Sequence, residues 1–143
     1  EYLRRGLSHV DPRVVSASVR LIGKFGSSCD GFATLQEDSL LSAIVEACQQ
    51  KEGVPASVRN AGFQALTSIC EHDSGLLWMA EEENGKRILN LAVEAFNDTS
   101  FYVMGSASRL LVDIISKSSH CLKAEQRLQP LFKEVASRLL TYL

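Results

Sequence analysis

The sequence has few prolines, no clustered cysteines, no long basic runs and no long apolar runs. These absences argue against a linker-rich chain, a metal site, a nucleic-acid-binding protein and a membrane-spanning protein, respectively. Three prolines and nine glycines in 143 residues leave little room for long linkers. An apolar share of 45% with 22% charged residues is too apolar for a disordered chain. The length suits one compact domain that can bury a sizeable core.

Neither a nucleic acid nor a membrane is expected to bind this chain directly. The formal net charge is −2, and the adjacent basic pairs Arg4-Arg5 and Lys86-Arg87 are too short to neutralise a run of phosphates. No uncharged apolar run approaches the roughly 18 residues of a membrane-spanning helix. The chain does not begin with methionine, and residues 1–7 are typical of the end of a helix. We therefore expect a piece of a longer protein.

The cysteines do not form a metal-binding pattern. The four cysteines are far apart in the chain and none belongs to a Cys-x-x-Cys motif: Cys29, Cys48, Cys70 and Cys121. Because a zinc site needs clustered ligands, the sequence predicts no metal and no cofactor. Buried free thiols in a reducing compartment are the better interpretation.

Two short polar clusters contain residue types that are common in catalytic sites, but neither has the arrangement that catalysis requires. In Glu71-His72-Asp73 the adjacent side chains do not converge on one helical face. In Ser119-His120-Cys121 there is no sign of a third group that would orient the base towards the nucleophile. The prediction is that the chain has no catalytic residues and is not an enzyme.

Three other features have a structural and a functional interpretation. The sequence Asn97-Asp98-Thr99 fits an N-glycosylation acceptor but also a helix start, which we favour. Trp78, the only tryptophan, is expected to pack between repeats, with a binding anchor as the alternative. The acidic run Glu81-Glu82-Glu83 is interpreted as a solvated helix end, with binding of a basic partner as the alternative.

An internal repeat is the main signal in the sequence. Three stretches begin with a turn or helix-capping residue and continue with a helical apolar pattern: residues 11–22, 54–66 and 98–111. Their anchors Val15, Val58 and Val103 are separated by 43 and 45 residues, within the range of armadillo and HEAT repeats. From Val103 the core positions would include Ser106 and Ala107, whose small size lets helices approach closely.

The intervening segments repeat as well. Residues 29–37 match residues 73–81, and a longer helix follows each of them, with extra residues near 83–85 in the second case. Each unit is thus expected to contain a short helix, a longer helix and a third long helix, as armadillo units do. Gly85 is expected at the bend between the first and second helices of its unit.

The sequence therefore predicts an all-α protein, an armadillo/HEAT-like right-handed helical solenoid of about three repeats. One fragment, 1–143, would consist of a partial repeat, two repeats and a C-terminal helix or cap: residues 1–26, 27–70, 71–117 and 122–143. Pro130 is expected near the start of that last helix. Stacking of neighbouring units would bury the apolar faces that one unit cannot bury alone.

Ordered blocks in the sequence resemble one family. They are Ser16–Phe25, Leu35-Gln36-Glu37, Val58-Arg59 with Leu66–Ile69, and Ser100–Val103 with Ser106–Val112. Over residues 10–116 the chain resembles the amino-terminal helical repeats of the activator of the ataxia-telangiectasia-mutated kinase that associates with the breast cancer type 1 susceptibility protein. The resemblance implies a large scaffold of nucleus and cytoplasm, with roles in DNA-damage signalling and in assembly of the Integrator RNA-endonuclease module. The kinase, the susceptibility protein and Integrator endonuclease subunits would be its partners.

Armadillo-like proteins bind extended peptides along a groove lined by their third helices. The residues expected on that surface lie opposite the core face: Arg20, Lys24, Asn60, Gln64, Thr67 and Arg109. Amides would hydrogen-bond a peptide backbone and basic residues would hold acidic side chains; a merely solvated surface is the alternative. The chain is thus predicted to be a protein-binding scaffold. The competing interpretation is a structural spacer with binding sites elsewhere in a larger protein.

Overall fold

The computed structural model describes residues 1–142, and these residues form nine α-helices joined by short links. The helices are α1 (Tyr2–Leu7), α2 (Pro12–Phe25), α3 (Cys29–Glu37), α4 (Leu40–Ala47), α5 (Ala56–Ile69), α6 (Asp73–Met79), α7 (Glu82–Glu94), α8 (Phe101–Ser118) and α9 (Leu122–Leu140). A turn of 3₁₀ helix, Ala95–Asn97, follows α7, and residues 1–142 contain no strand. The predicted all-α class is confirmed, and the order of helices is compatible with a helical repeat.

Local capping explains where α2 begins. The carboxylate of Asp11 accepts a hydrogen bond from the backbone N–H of Arg13 at 2.9 Å. Pro12 follows as the first helical residue, where no backbone N–H is needed. Pro55 immediately precedes α5 as its N-cap residue.

Three helices, α2, α5 and α8, lie side by side in chain order with α5 in the middle. The side chains of Phe63, Leu66 and Ile69 in α5 are fully buried. A Cβ atom on Gly23 of α2 would lie 2.4 Å from the Cα atom of Ala65, so α2 and α5 pack almost backbone to backbone. This close packing makes the three helices one continuous layer.

The remaining helices contact that layer or one another. α4 contacts α5, α7 contacts α8, and α9 packs mainly against α7. The first helices α3 and α6 touch through the rings of Phe32 and Trp78, whose centroids are 6.2 Å apart in an edge-to-face arrangement. Trp78 therefore packs against another helix, and its predicted place between two repeats stays a prediction. The α4 residues that face the core are buried: Leu41, Ile44, Val45, and also Cys48 at the end of the helix.

The predicted helix lengths are wrong for the first unit. α4 has 8 residues and α3 has 9, so the second helix is not the longer one. The reason is that α4 ends at Ala47, and a loop connects it to α5, which begins at Ala56. Within this loop Gly53 has φ +85°. In the second unit the extra residues near 83–85 lie inside α7, which they lengthen to 13 residues.

Two special residues lie elsewhere than predicted. Gly85 is buried inside α7, and the bend falls at Ala80 and Glu81. A Cβ on Gly85 would be 3.0 Å from a methyl group of Leu131 and 3.0 Å from the backbone oxygen of Met79, so the glycine makes room for α9 and for the end of α6. Pro130 is not near the start of the last helix, because α9 already begins at Leu122. The proline ring is exposed there, and α9 continues despite one missing backbone hydrogen bond.

The last helix buries only part of its apolar residues. Leu128, Leu131 and Val135 are buried, whereas Ala136 and Leu140 are exposed. The repeat boundaries at residues 26, 70 and 117 stay a prediction.

Among the helices of residues 1–142, none combines the length and the apolar character that crossing a membrane requires.

Candidate protein-binding surface

The six predicted binding residues all lie on the layer formed by α2, α5 and α8. Arg20, Lys24, Gln64 and Arg109 are exposed, and Asn60 and Thr67 are half-buried. They face solvent because the apolar positions of the same helices point into the core. We call the surface formed by these six residues the third-helix face.

Two side-chain hydrogen bonds cross the third-helix face. The guanidinium Nε of Arg20 in α2 donates to Oε1 of Gln64 in α5 at 2.9 Å. The hydroxyl of Ser106 in α8 donates to Oδ1 of Asn60 in α5 at 2.5 Å. Each pair of neighbouring helices is therefore linked by one polar contact. The sequence placed Ser106 among the small residues of the core, whereas it is half-buried and points towards α5.

A shallow depression of about 230 Å³ lies between α5 and α8. Three predicted residues line it together with two that sequence reasoning did not assign to the surface: Gln64, Thr67, Arg109, Gly105 and Ser106. A Cβ on Gly105 would touch nothing within 4 Å, so this glycine forms the open floor of the depression. Arg20, Lys24 and Asn60 lie outside it.

The charged groups of the third-helix face are mostly cationic. Arg109, whose side chain is 72% exposed, forms an ion pair of 3.0 Å with Asp113 one turn further along α8. Within residues 1–142, Arg20 and Lys24 belong to no ion pair. This face is therefore positively charged on a chain whose net charge is −2.

The candidate catalytic clusters have structural explanations. Nδ1 of His72 accepts a hydrogen bond of 3.2 Å from the backbone N–H of Ser74 and so caps α6. His120 lies exposed in the turn between α8 and α9, beside the half-buried Cys121. In the part of the chain that the structure describes, no three His, Cys, Asp or Glu side chains are grouped as metal ligands.

Comparison with known proteins gives a family match over most of the chain. The model of the family described as Integrator complex assembly factor BRAT1 matches residues 4–134. Similar curated proteins of that name come from Mus musculus, 32% identical over 116 residues, and Danio rerio, 31% identical over 110 residues. These matches cover 76% and 73% of this chain. The chain spans about 13% of the length of each relative. No solved structure matches the chain.

Proposed function

Because the chain belongs to the Integrator complex assembly factor BRAT1 family, we propose that it is a non-catalytic, protein-binding scaffold in Integrator assembly. The observation that carries the proposal is the third-helix face, where polar and cationic side chains of three helices lie next to one another. The description of the family as an assembly factor supports a role in bringing proteins together.

We propose that the helices form a right-handed armadillo-like solenoid of about three repeats. The side-by-side order of α2, α5 and α8 supports this, since successive repeats place equivalent helices in one layer. The units would be the partial repeat 1–26, the repeats 27–70 and 71–117, and α9 as a cap. In such a solenoid the third-helix face would be one continuous surface along the stack.

The finer proposals follow from the family resemblance. Since the chain spans about 13% of its relatives, partners of a whole family protein need not bind this part. We propose Integrator endonuclease subunits as the partners, and a presence in nucleus and cytoplasm. A further role in DNA-damage signalling, with the ataxia-telangiectasia-mutated kinase and the breast cancer type 1 susceptibility protein as partners, belongs to the same proposal.

A tagged pull-down from nuclear and cytoplasmic extracts, probed for Integrator subunits, tests the proposal. The binding-face variant combines Arg20→Glu, Asn60→Ala and Arg109→Glu. The matched control combines Arg127→Glu and Lys133→Glu, two exposed cations of α9. Circular dichroism verifies that both variants are folded. We expect the wild type and the control to retain Integrator subunits and the binding-face variant to lose them.

The competing function is a structural spacer, whose helices hold distant parts of a larger protein in place. A folded wild-type chain that retains no Integrator subunit from either extract would favour the spacer. Retention of the subunits by the binding-face variant would place the contact on another surface of the chain.

A further inference from the structure

The layer of α2, α5 and α8 ends in a free edge on each outer helix. The free edge on α2 is apolar, and its residues are exposed: Val10, Val14, Leu21 and Phe25. These residues recur every four or seven positions, so they lie on one side of the helix and of the link before it. The opposite side of α2 packs on α5 through Gly23. We call these four apolar residues the α2 edge.

The free edge on α8 has the same character. Its residues are apolar and return to one side of the helix at intervals of three and eight positions: Phe101, Met104, Val112 and Ile115. Met104 is half-buried, and the other three are exposed. α9 follows α8 in the chain, but it packs mainly on α7 and leaves Val112 and Ile115 exposed. We call these four residues the α8 edge.

The edges are more apolar than the junctions inside the layer. In the register of the three repeat anchors, Leu21 of α2 corresponds to Gln64 of α5, and Val112 of α8 corresponds to Thr67. Both α5 residues are polar, and Gln64 accepts a hydrogen bond from Arg20 across the α2–α5 junction. A terminal repeat that ends a stack carries a polar outer face. The two edges have the composition of junctions instead.

The buried ion pair between α5 and α8 gives a second comparison. Arg59 pairs there with Asp98, and their side chains are 11% and 0% exposed. Arg59 directly follows its repeat anchor, as Met104 does, and Asp98 precedes its anchor by five residues, as Val10 does. A junction between the α8 edge of one chain and the α2 edge of another would therefore join Met104 to Val10. An apolar pair would replace the ion pair, and Val10, which is 95% exposed, would become buried.

We propose that the chain self-associates head to tail, with the α8 edge of one copy packed on the α2 edge of the next. The junction continues the layer in the way that α2 packs on α5 and α5 on α8. Burial of the apolar side chains of both edges drives the contact. Because the two edges differ, each copy keeps one free edge, to which a further copy can add. This inference rests on the repeat register of the proposed solenoid and not on its binding to Integrator.

The size of the edges predicts weak association. α2 has 14 residues, so it is about 21 Å long at 1.5 Å per residue, and each edge is one helix wide. Such a contact is smaller than the roughly 800 Å² per partner of a stable interface of standard size. We therefore expect monomers in dilute solution, and dimers and longer species in concentrated solution. Because the edge residues carry no charge, added salt should not weaken the association.

Sedimentation velocity of the chain, from about 10 μM to about 1 mM, tests the inference. The α2-edge variant carries Val10→Glu and Leu21→Glu, and the α8-edge variant carries Phe101→Glu and Val112→Glu. All four substituted side chains are exposed, and circular dichroism verifies that both variants are folded. We expect each variant alone to associate about tenfold or more weakly than the wild type.

A matched control separates the edges from the added charge. It combines Gln129→Glu and Leu140→Glu, at two exposed positions of α9, and so adds as much negative charge as either edge variant. We expect this control to associate like the wild type. Equal weakening in the control and in the edge variants would overturn the inference, because added charge at any site would then have the same effect.

An equimolar mixture of the two edge variants distinguishes a head-to-tail contact from a symmetric one. The α2-edge variant keeps an intact α8 edge, and the α8-edge variant keeps an intact α2 edge. The mixture should therefore form dimers, but nothing longer, at concentrations at which each variant alone is monomeric. Undiminished association of one edge variant alone would overturn the inference, since it would indicate a contact between like edges or on another surface.

A monomeric wild type at about 1 mM would also overturn the inference. The proposed function is tested separately, because the pull-down detects Integrator subunits at concentrations far below those of self-association. Retention of the subunits by a monomeric chain would leave the proposed function intact and refute only the head-to-tail contact. Self-association of a chain that retains no Integrator subunit would support the contact and count against the proposed function alone.

Discussion

Arg59 of α5 and Asp98, just before α8, form a buried bidentate ion pair. Nε of Arg59 lies 2.7 Å from Oδ2 of Asp98, and Nη2 lies 2.9 Å from Oδ1. Their side chains are only 11% and 0% exposed. Arg59 also donates to the carbonyl of Val54, and Asp98 accepts from the backbone N–H of Ser100. The pair therefore connects the chain segments that lead into α5 and α8, the two helices that form the depression.

Removal of one partner of this pair should destabilise the fold strongly. In the Asp98→Ala variant, the guanidinium of Arg59 stays buried without its counter-ion. Loss of one partner of a buried pair costs about 3–5 kcal/mol, and we expect a loss of that size in the free energy of unfolding. Urea denaturation at pH 7, followed by circular dichroism, measures it.

An exposed pair provides the control for that measurement. Nζ of Lys86 lies 2.7 Å from Oε1 of Glu82 on the surface of α7. Because exposed pairs contribute little to stability, Lys86→Ala should leave the urea midpoint unchanged. If Lys86→Ala and Asp98→Ala lowered the unfolding free energy equally, the buried Arg59–Asp98 pair would stabilise the fold no more than an exposed pair does.

The same pair should make stability depend on pH in acid. The hydrogen bonds from Arg59 are the main reason that the pKa of Asp98 lies below its ordinary value of 3.8. A carboxyl with a lowered pKa in the folded state stabilises the fold fully above its unfolded-state pKa, and this contribution is lost as the pH falls through the folded-state pKa. Urea denaturation of wild type and of Asp98→Asn at pH 7 and pH 3 measures this contribution. The unfolding free energies of the two proteins should differ less at pH 3 than at pH 7. An equal difference at both pH values would show that the Asp98 carboxylate does not cause the pH dependence.

The sequence predicted the layer of third helices better than the polar contacts across it. Of the three repeat anchors, Val58 and Val103 lie in the core and Val15 is half-buried, because burial follows the 3.6-residue period of each helix. The pairing of Arg59 with Asp98 has no such period, since the residues are 39 positions apart and one of them lies in a loop. From the local sequence, residues 97–99 are interpreted as a helix start, with an N-glycosylation acceptor as the alternative.

Tertiary contacts also decide the roles of two small residues. The sequence predicts Gly85 at a bend, whereas it lies inside α7, where a Cβ would be 3.0 Å from the backbone oxygen of Met79 and also from a methyl group of Leu131, 46 residues later in the chain. The sequence predicts Ser106 as a small core residue, whereas its hydroxyl donates to Asn60 in α5. The contacts with Leu131 and Asn60 cannot be identified from the local pattern, and the depression at Gly105 is not predicted either.

Close packing of α2 on α5 should make Gly23 intolerant of even one methyl group. A Cβ there would lie 2.4 Å from the Cα and 2.5 Å from the Cβ of Ala65, and neither atom belongs to a flexible side chain. Overpacking of this kind typically costs about 1–3 kcal/mol. Gly23→Ala should therefore lower the thermal unfolding temperature measured by circular dichroism.

Gly105→Ala is the matched control for this prediction. Both glycines lie inside helices, but a Cβ on Gly105 meets no atom within 4 Å. Alanine is favoured over glycine in a helix interior by roughly 0.5–1 kcal/mol. Gly105→Ala should therefore raise the unfolding temperature, and a fall in both variants would argue against the close α2–α5 contact as the cause.

The four cysteines should differ in reactivity. Burial raises the pKa of Cys70 to about 11 and that of Cys48 above its usual range, so both thiols stay protonated at pH 8. Cys29 is exposed and Cys121 half-buried, so the predicted burial holds fully only for Cys48 and Cys70. With a colorimetric disulfide reagent, Cys29 should react first and Cys121 more slowly, whereas Cys48 and Cys70 should react only after denaturation. Mass spectrometry of the labelled peptides identifies each site, and early labelling of Cys48 would contradict the burial.

The contact between Phe32 and Trp78 should couple α3 to α6 in a way that fluorescence reports. Trp78 is the only tryptophan and is half-buried, so the emission reports the surroundings of this one side chain, which include the ring of Phe32. Phe32→Leu keeps an apolar side chain but removes the ring, and such aromatic pairs contribute about 0.5–1.5 kcal/mol beyond their buried area. We expect a lower unfolding free energy and a red-shifted emission, because water gains access to the indole. Phe101→Leu, at an 85% exposed position on α8, should change neither quantity; an equal shift in both variants would mean that the emission does not report this contact.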